Sequence, residues 1–308
     1  MSTAYRKPSM NVKQSCYSHS LLRWFFLTLA WVVAASGVYA GDRFDAGLLW
    51  KIESAGAVPS YLFGTMHSDD PRVVKLPPAV QQAFDRAGSV TLEVELDAQA
   101  LVSLSSALLL DNGSNLESLV GDDLYRRSVQ ALGAQGVPDV LVAGMKPWAV
   151  AVTLMTPPNQ GGEVLDQFLY RQAKNSGKKV SGLETVAEQL ALFDELSLDV
   201  QIALLKDTLD NLSDIPRMLA DLQAAYLDRD LKRLVAINES AMQESDPEMA
   251  RDFNRKVIID RNHRMAERMK SRLDAGNQFI AVGALHLPGS EGLLTLLSGQ
   301  GYRVTRVY

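Results

Sequence analysis

From residue 44 onward, apolar residues gather in short strand-like runs at the two ends of the chain and in helical stripes between them. "LLWKIESAG" (48–56) and "SYLFGTMH" (60–67) are separated by Ala57-Val58-Pro59 and predict a hairpin or two neighbouring strands. "LPPAVQQAFDRAG" follows as a helix, opened by Pro77-Pro78, faced by Val80, Phe84 and Ala87, and stopped at Gly88. "SVTLEVEL" (89–96) alternates and is rich in β-branched residues, so it predicts the next strand. The middle is mostly helical. "KVSGLE" (179–184) returns to a strand, and Thr185-Val186-Ala187-Glu188 is a capping-box pattern that opens another helix. Residues 248–275 predict one long helix, and "QFIAVGALH" and "YRVTRVY" close the chain as strands. The pattern predicts an α/β fold: a central mixed, largely parallel sheet flanked by helices, with a helical insertion at roughly 98–175 and 198–245.

Composition adds limits. The 308 residues are 47% apolar and 22% charged, with a formal net charge of −5 and a pI near 5.5. That is enough chain for a sizeable core, and it lacks the basic stripe of a nucleic-acid binder. Cys16 is the only cysteine, so disulfides cannot hold the fold.

The first 40 residues predict a signal peptide. Arg6, Lys7, Lys13 and Arg23 precede an uncharged 14-residue stretch, Trp24 to Gly37, and Val38-Tyr39-Ala40 offers small residues for cleavage after Ala40. The stretch is short for a membrane span. The expectation is a periplasmic or secreted protein, residues 41–308, with no stable membrane span after cleavage; an uncleaved anchor is the alternative. Without Cys16 that mature chain has no thiol to act as a nucleophile.

The candidate chemistry rests on a repeated pattern. "YLFGTMH" and "FIAVGALH" each run from a strand through a glycine (Gly64, Gly283) to a histidine three residues on (His67, His286). Such turns carry side chains to the carboxyl rim of the sheet, where open α/β sheets bind ligands. Glu93 and Glu95, two apart in one strand, predict a common face; either could instead be an edge charge facing water. Glu184 ends its strand next to a helix N-terminus. Arg261 falls on the stripe Phe253, Val257, Met265, Met269, Leu273, so it either pairs with a carboxylate or snorkels to solvent. Asn262 lies at the edge of that face, whereas His263 falls on the polar side. Asp69 and Asp70 read as turn residues ahead of Pro71. Two imidazoles and a carboxylate suffice as a first shell for a divalent ion, although no two of these ligands are local in sequence.

"SYLFGTMHSDDPRVVKLPPAVQQAFDRAGSVTLEVELD", "MKPWAV", "LDQFLYRQAKNSGKKVSGLETVAEQLALF", "IIDRNHRMAERM" and "FIAVGALHLPGSEGLLTLLSGQGYRVTRV", in order over about residues 44–308, resemble the TraB/GumN family. Its wider group includes the Tiki metalloproteases and proteins similar to erythromycin esterase and ChaN. The resemblance implies an EreA/ChaN-like fold with both Gly-x-x-His turns at one site. It implies His67 and His286 as metal ligands, with Glu93 as the acidic residue. Glu184, Arg261 and Asn262 match family positions, and Glu95 stands where an aspartate is more usual. The expected activity is that of a metal-dependent hydrolase, a peptidase above all, using Mn²⁺, Zn²⁺ or Co²⁺ on a peptide or small-molecule substrate. Glu184 or Glu95 would then serve as base. The alternative is a protein that binds haem, iron or a peptide without turnover.

Overall fold

A computed structural model describes residues 44–308 apart from 96, 112, 157–160, 243–250 and 252–253. The predicted signal segment, and Phe253 of the helical stripe, lie outside the described residues. Six strands form one sheet: β1 (Leu49–Glu53), β2 (Ser60–Thr65), β3 (Ser89–Val94), β4 (Lys179–Glu184), β5 (Gln278–Gly283) and β6 (Arg303–Arg306), in the order β4-β3-β5-β2-β1-β6. β4, β3, β5 and β2 run parallel; β1 is antiparallel to both β2 and β6. The sheet is therefore mixed and largely parallel. β1 and β2 form the expected hairpin, with Leu49 opposite Phe63.

Helices carry the chain between strands: α1 (Pro71–Val74), α2 (Pro78–Arg86), α3 (Ala98–Ala107), α4 (Leu116–Val120), α5 (Asp122–Gly133), α6 (Asp139–Gly144), α7 (Pro147–Met155), α8 (Leu165–Asn175), α9 (Val186–Asp194), α10 (Leu198–Asp210), α11 (Ile215–Leu227), α12 (Leu231–Met242), α13 (Asp260–Ala275) and α14 (Leu293–Gly299). Two apolar cores result. One surrounds the sheet and includes Phe63, Phe84, Phe279 and Ile280 together with Met265, Met269 and Leu273 of α13. The other joins α4–α7 to α10 through Leu116, Leu132, Trp148, Leu154 and Leu205. Trp148 is buried at the start of α7, stacks on Phe193 at 5.1 Å between ring centroids, and donates its indole N–H to Asp194 Oδ1 over 2.8 Å.

The long C-terminal helix differs from expectation. A five-residue π-helical turn, Arg255–Ile259, precedes α13, so the stripe does not run as one uninterrupted α-helix. Its α-helical part buries Arg261, Asn262, Met265, Met269 and Leu273 against the sheet. Among the described residues, no helix is long and apolar enough to cross a membrane.

Candidate active site at the carboxyl rim of the sheet

Both Gly-x-x-His turns leave one rim side by side. β2 and β5 are neighbours, and Thr65 pairs with Gly283 at their carboxyl ends. Gly64 is needed for this closeness. A Cβ there would stand 2.7 Å from Leu287 Cδ1 and 3.1 Å from Ala284 Cα, so the first turn lies directly on the second. Gly283 makes room for the acid instead. Its N–H donates to Glu93 Oε1 over 2.5 Å, and a Cβ would sit 3.2 Å from that oxygen. β3, on the other side of β5, delivers Glu93; β4, beyond it, delivers Glu184 opposite Val94.

Arg261 reaches down from α13 between the two carboxylates. Its Nη2 donates to Glu93 Oε2 over 2.6 Å and to Glu184 Oε2 over 2.7 Å, and its Nε donates to Glu184 Oε2 over 2.9 Å. The arginine is buried, so the stripe resolves into pairing rather than snorkelling. Arg264, one turn along, gives two hydrogen bonds to Glu184 Oε1, and Gln189 of α9 donates to both Glu93 and Glu184. Glu184 therefore accepts from three side chains with none of its own side chain exposed. Burial pushes its carboxyl up, but the hydrogen bonds and charges of Arg261 and Arg264 outweigh this and hold it below its ordinary value. Such a carboxylate anchors the arginines and is poorly suited to take a proton from water.

His286 sits in a single 3-10 turn (Ala284–His286) and is buried. Its Nδ1 is 2.7 Å from Asn262 Oδ1, while Asn262 Nδ2 donates to the Glu291 carbonyl over 2.8 Å. That second bond fixes which end of the amide faces the ring, so Nδ1 carries the proton and Nε2 keeps its lone pair. Nε2 lies 3.6 Å from Glu93 Oε1. Burial lowers the His286 pKa, so the ring is neutral at neutral pH. Burial pushes the Glu93 carboxyl up; His286, in acid where its ring takes a proton, the Arg261 guanidinium and the Gly283 N–H pull it below its ordinary value. His263 stays on the polar side, exposed and beside Glu291.

His67 is placed differently from His286. It emerges after the end of β2 with 64% of its side chain exposed, and Nδ1 lies 3.9 Å from Asp166 Oδ2. Asp166, in the first turn of α8, accepts the Thr65 hydroxyl at Oδ1 over 2.9 Å. Burial and the negative charge of Glu93 push the Asp166 carboxyl up, so this acid belongs to the same electrostatic neighbourhood. Sequence reasoning missed Asp166, Gln189 and Arg264. Asp166 reads as an ordinary helix N-terminal acid, and only the packing of α8 against the first turn reveals its position. Glu95, by contrast, is a correction to the predicted common face. β3 ends at Val94, the alternation stops there, and Glu95 points to Lys174 at 4.0 Å with 37% of its side chain exposed.

The donor types suit a divalent cation: a neutral imidazole with a free Nε2, a carboxylate 3.6 Å from it, and a second His–Asp pair. Among the described residues, however, no three His, Cys, Asp or Glu side chains are gathered as a group that could hold a metal ion as they stand. The donors come in two pairs, and exposed His67 is the one with room to turn.

A largely parallel α/β sheet with two glycine-turn histidines and an acid–arginine–acid bridge at one rim defines the class. The chain belongs to the TraB/PrgY/gumN family, which it matches over residues 48–306. It is similar to the metalloprotease TIKI2 of Danio rerio, 28% identical over 310 residues, covering 83% of this chain and 60% of that protein. It is equally similar to the metalloprotease TIKI1 of Homo sapiens, 28% identical over 309 residues, covering 83% and 61% respectively. The uncharacterized protein YbaP of Shigella flexneri is 23% identical over 246 residues, covering 77% of this chain and 87% of YbaP. The chain thus spans about 60% of the length of the metalloproteases it matches. No solved structure gives a significant match.

Proposed function

We propose that this protein is an exported metal-dependent hydrolase that cleaves peptides at the rim holding His286, Glu93 and Arg261. The observation that carries the reading is the Glu93–His286 pair: a neutral imidazole whose Nδ1 is committed to Asn262, with Nε2 3.6 Å from a carboxylate oxygen. Similarity to proteins named metalloproteases supports the peptide as substrate. His286, Glu93 and His67 would hold the ion, one of Mn²⁺, Zn²⁺ or Co²⁺. When bound, it would polarise a carbonyl and lower the pKa of a coordinated water.

The chain's own residues do the rest. Asn262 keeps the Nε2 lone pair of His286 available. The Gly283 N–H and Arg261 hold Glu93 ionised and in place, and Arg261 supplies positive charge beside any oxyanion that develops there. Glu184 is committed to Arg261 and Arg264. Its role is to position the arginine, and the role of base does not suit its partners. The positive amino-terminal segment, the uncharged stretch and Val38-Tyr39-Ala40 support export with cleavage after Ala40.

The decisive experiment measures divalent-metal content and binding of the purified protein beside His67→Ala and His286→Ala variants, then cleavage of a diverse peptide library. Metal bound by wild type and lost in the variants, with cleavage that a chelator abolishes, is the expected result. A metal-loaded protein that cleaves no peptide would end the hydrolase reading.

A further inference from the structure

Asp166 is a half-buried acid at the same rim with no part in the proposed chemistry. Two contacts tie the start of α8 to the first Gly-x-x-His turn, and two more tie α11 to it. Thr65, between Gly64 and His67, donates its hydroxyl to Asp166 Oδ1 over 2.9 Å. Leu165 N–H, from the residue before the acid, donates to the Ser68 carbonyl over 3.2 Å. On the far side of the turn, Tyr226 of α11 donates to the Gly64 carbonyl over 3.0 Å, and Gln223 donates to Asp70 Oδ2 over 2.8 Å. Turn and helix start are therefore joined directly. Asp166 Oδ1 is thereby taken, while Oδ2 lies 3.9 Å from His67 Nδ1, just beyond hydrogen-bond distance.

A tighter form of this arrangement exists at the other turn. His286 Nδ1 meets an oxygen acceptor from a different element, Asn262 Oδ1, at 2.7 Å. The buried ring is thus hydrogen-bonded at Nδ1, which leaves its Nε2 with the lone pair, while the exposed ring has a carboxylate oxygen nearest its Nδ1, 3.9 Å away and brought into hydrogen-bond range by a small turn of the ring. The two acceptors differ as their settings require. The buried ring has a neutral amide, whereas the exposed ring has a carboxylate that can hold it against the pull of solvent.

We infer that Asp166 is a positioning residue for His67: it takes the Nδ1–H of that ring and presents Nε2 toward the site, as Asn262 does for His286. This is the arrangement by which ligating histidines are usually oriented through their second nitrogen. The inference rests on the proposed metal-dependent reading for its purpose, while the tautomer it assigns can be measured with no metal present.

The test is the ring-nitrogen spectrum of protein labelled with ¹⁵N-histidine at mildly alkaline pH, with His67 identified by its loss in His67→Asn. In wild type, His67 should carry its proton on Nδ1, although free imidazole side chains in water favour the Nε2–H form. Asp166→Ala should return His67 to the Nε2–H form while the His286 signal, held by Asn262, stays unchanged and reports an intact fold. Titration with Zn²⁺ alone should show affinity for Asp166→Ala lower by roughly 10–100-fold. A wild-type His67 protonated on Nε2 would overturn the inference even if Asp166→Ala does not fold. So would an unchanged tautomer in a folded Asp166→Ala. Wild-type protein with the assigned tautomer but no Zn²⁺ binding would remove the metal-dependent reading and leave the positioning of His67 standing.

Discussion

Arg261 and Glu184 meet through two hydrogen bonds at 2.7 and 2.9 Å, and Glu184 has no exposed side-chain surface at all. The same guanidinium nitrogen that makes the shorter bond also holds Glu93. One arginine thus joins the ends of two adjacent strands and bridges a buried acid, Glu184, to a half-buried one, Glu93. Replacing it with methionine removes the shared cation and leaves Glu184 on Arg264 and Gln189, and Glu93 on Gln189 and the Gly283 N–H. Losing one partner of a buried ion pair costs about 3–5 kcal/mol. Arg261→Met should therefore lower the melting temperature clearly, and Arg261→Lys should recover only part of the loss because a lysine cannot span both acids. An unchanged melting temperature in Arg261→Met would mean that the bridge contributes nothing to stability.

Asn262→Ala should separate site from scaffold. The amide supports His286 Nδ1 and ties α13 to the Glu291 carbonyl. Removing it frees the imidazole to adopt either tautomer, and loss of such a support typically costs about 10–100-fold in metal affinity. Calorimetric titration with Mn²⁺ or Zn²⁺ checks this. Affinity equal to wild type would show that His286 needs no such support.

The two turn glycines should fail in different ways. In Gly64→Ala the new methyl meets Leu287 and the Ala284 backbone, so the cost falls on packing, about 1–3 kcal/mol of stability. In Gly283→Ala it meets Glu93 Oε1 and His286 Cδ2 at 3.2 and 3.5 Å, so the displaced atoms belong to the site. Chemical denaturation and metal binding, measured on both variants, should show Gly64→Ala as the less stable protein and Gly283→Ala as the weaker binder. The reverse ranking would contradict the contacts described.

Glu188 predicts part of the acid sensitivity. Hydrogen bonds from Arg268 and the Thr185 N–H pull its carboxyl from 4.5 down to about 2. The folded pKa lies below the unfolded one, so the contribution is complete above pH 4.5 and is lost as pH falls toward 2. Both partners are about one-third exposed, so solvent screening limits it to on the order of 1 kcal/mol. Urea midpoints measured from neutral to acid pH should fall less steeply in Glu188→Gln than in wild type; parallel curves would show that Glu188 has no part in the acid sensitivity.

Local chemistry made much of this protein legible from its sequence. Apolar runs bounded by Pro and Gly mark the strands. Thr185 and Glu188 form the capping box that their spacing predicts, because that motif needs only residues three apart. Arg261 on an apolar stripe pointed to a carboxylate partner or a route to solvent, since a buried unpaired charge there is too costly. What the sequence could not contain was which distant side chains meet. Glu93 and Glu95 look equivalent along the chain, yet the sheet ends between them, and only the former enters the bridge. His67 and His286 follow the same Gly-x-x turn, yet one is exposed and the other buried, because α13 covers the second turn and leaves the first open. Asp166 is 101 residues from Thr65, and only the packing of α8 against the rim makes them partners. Local pattern is set by neighbours in the chain and survives without a fold. Contact across the rim depends on strand order and helix packing, which no short stretch of sequence specifies.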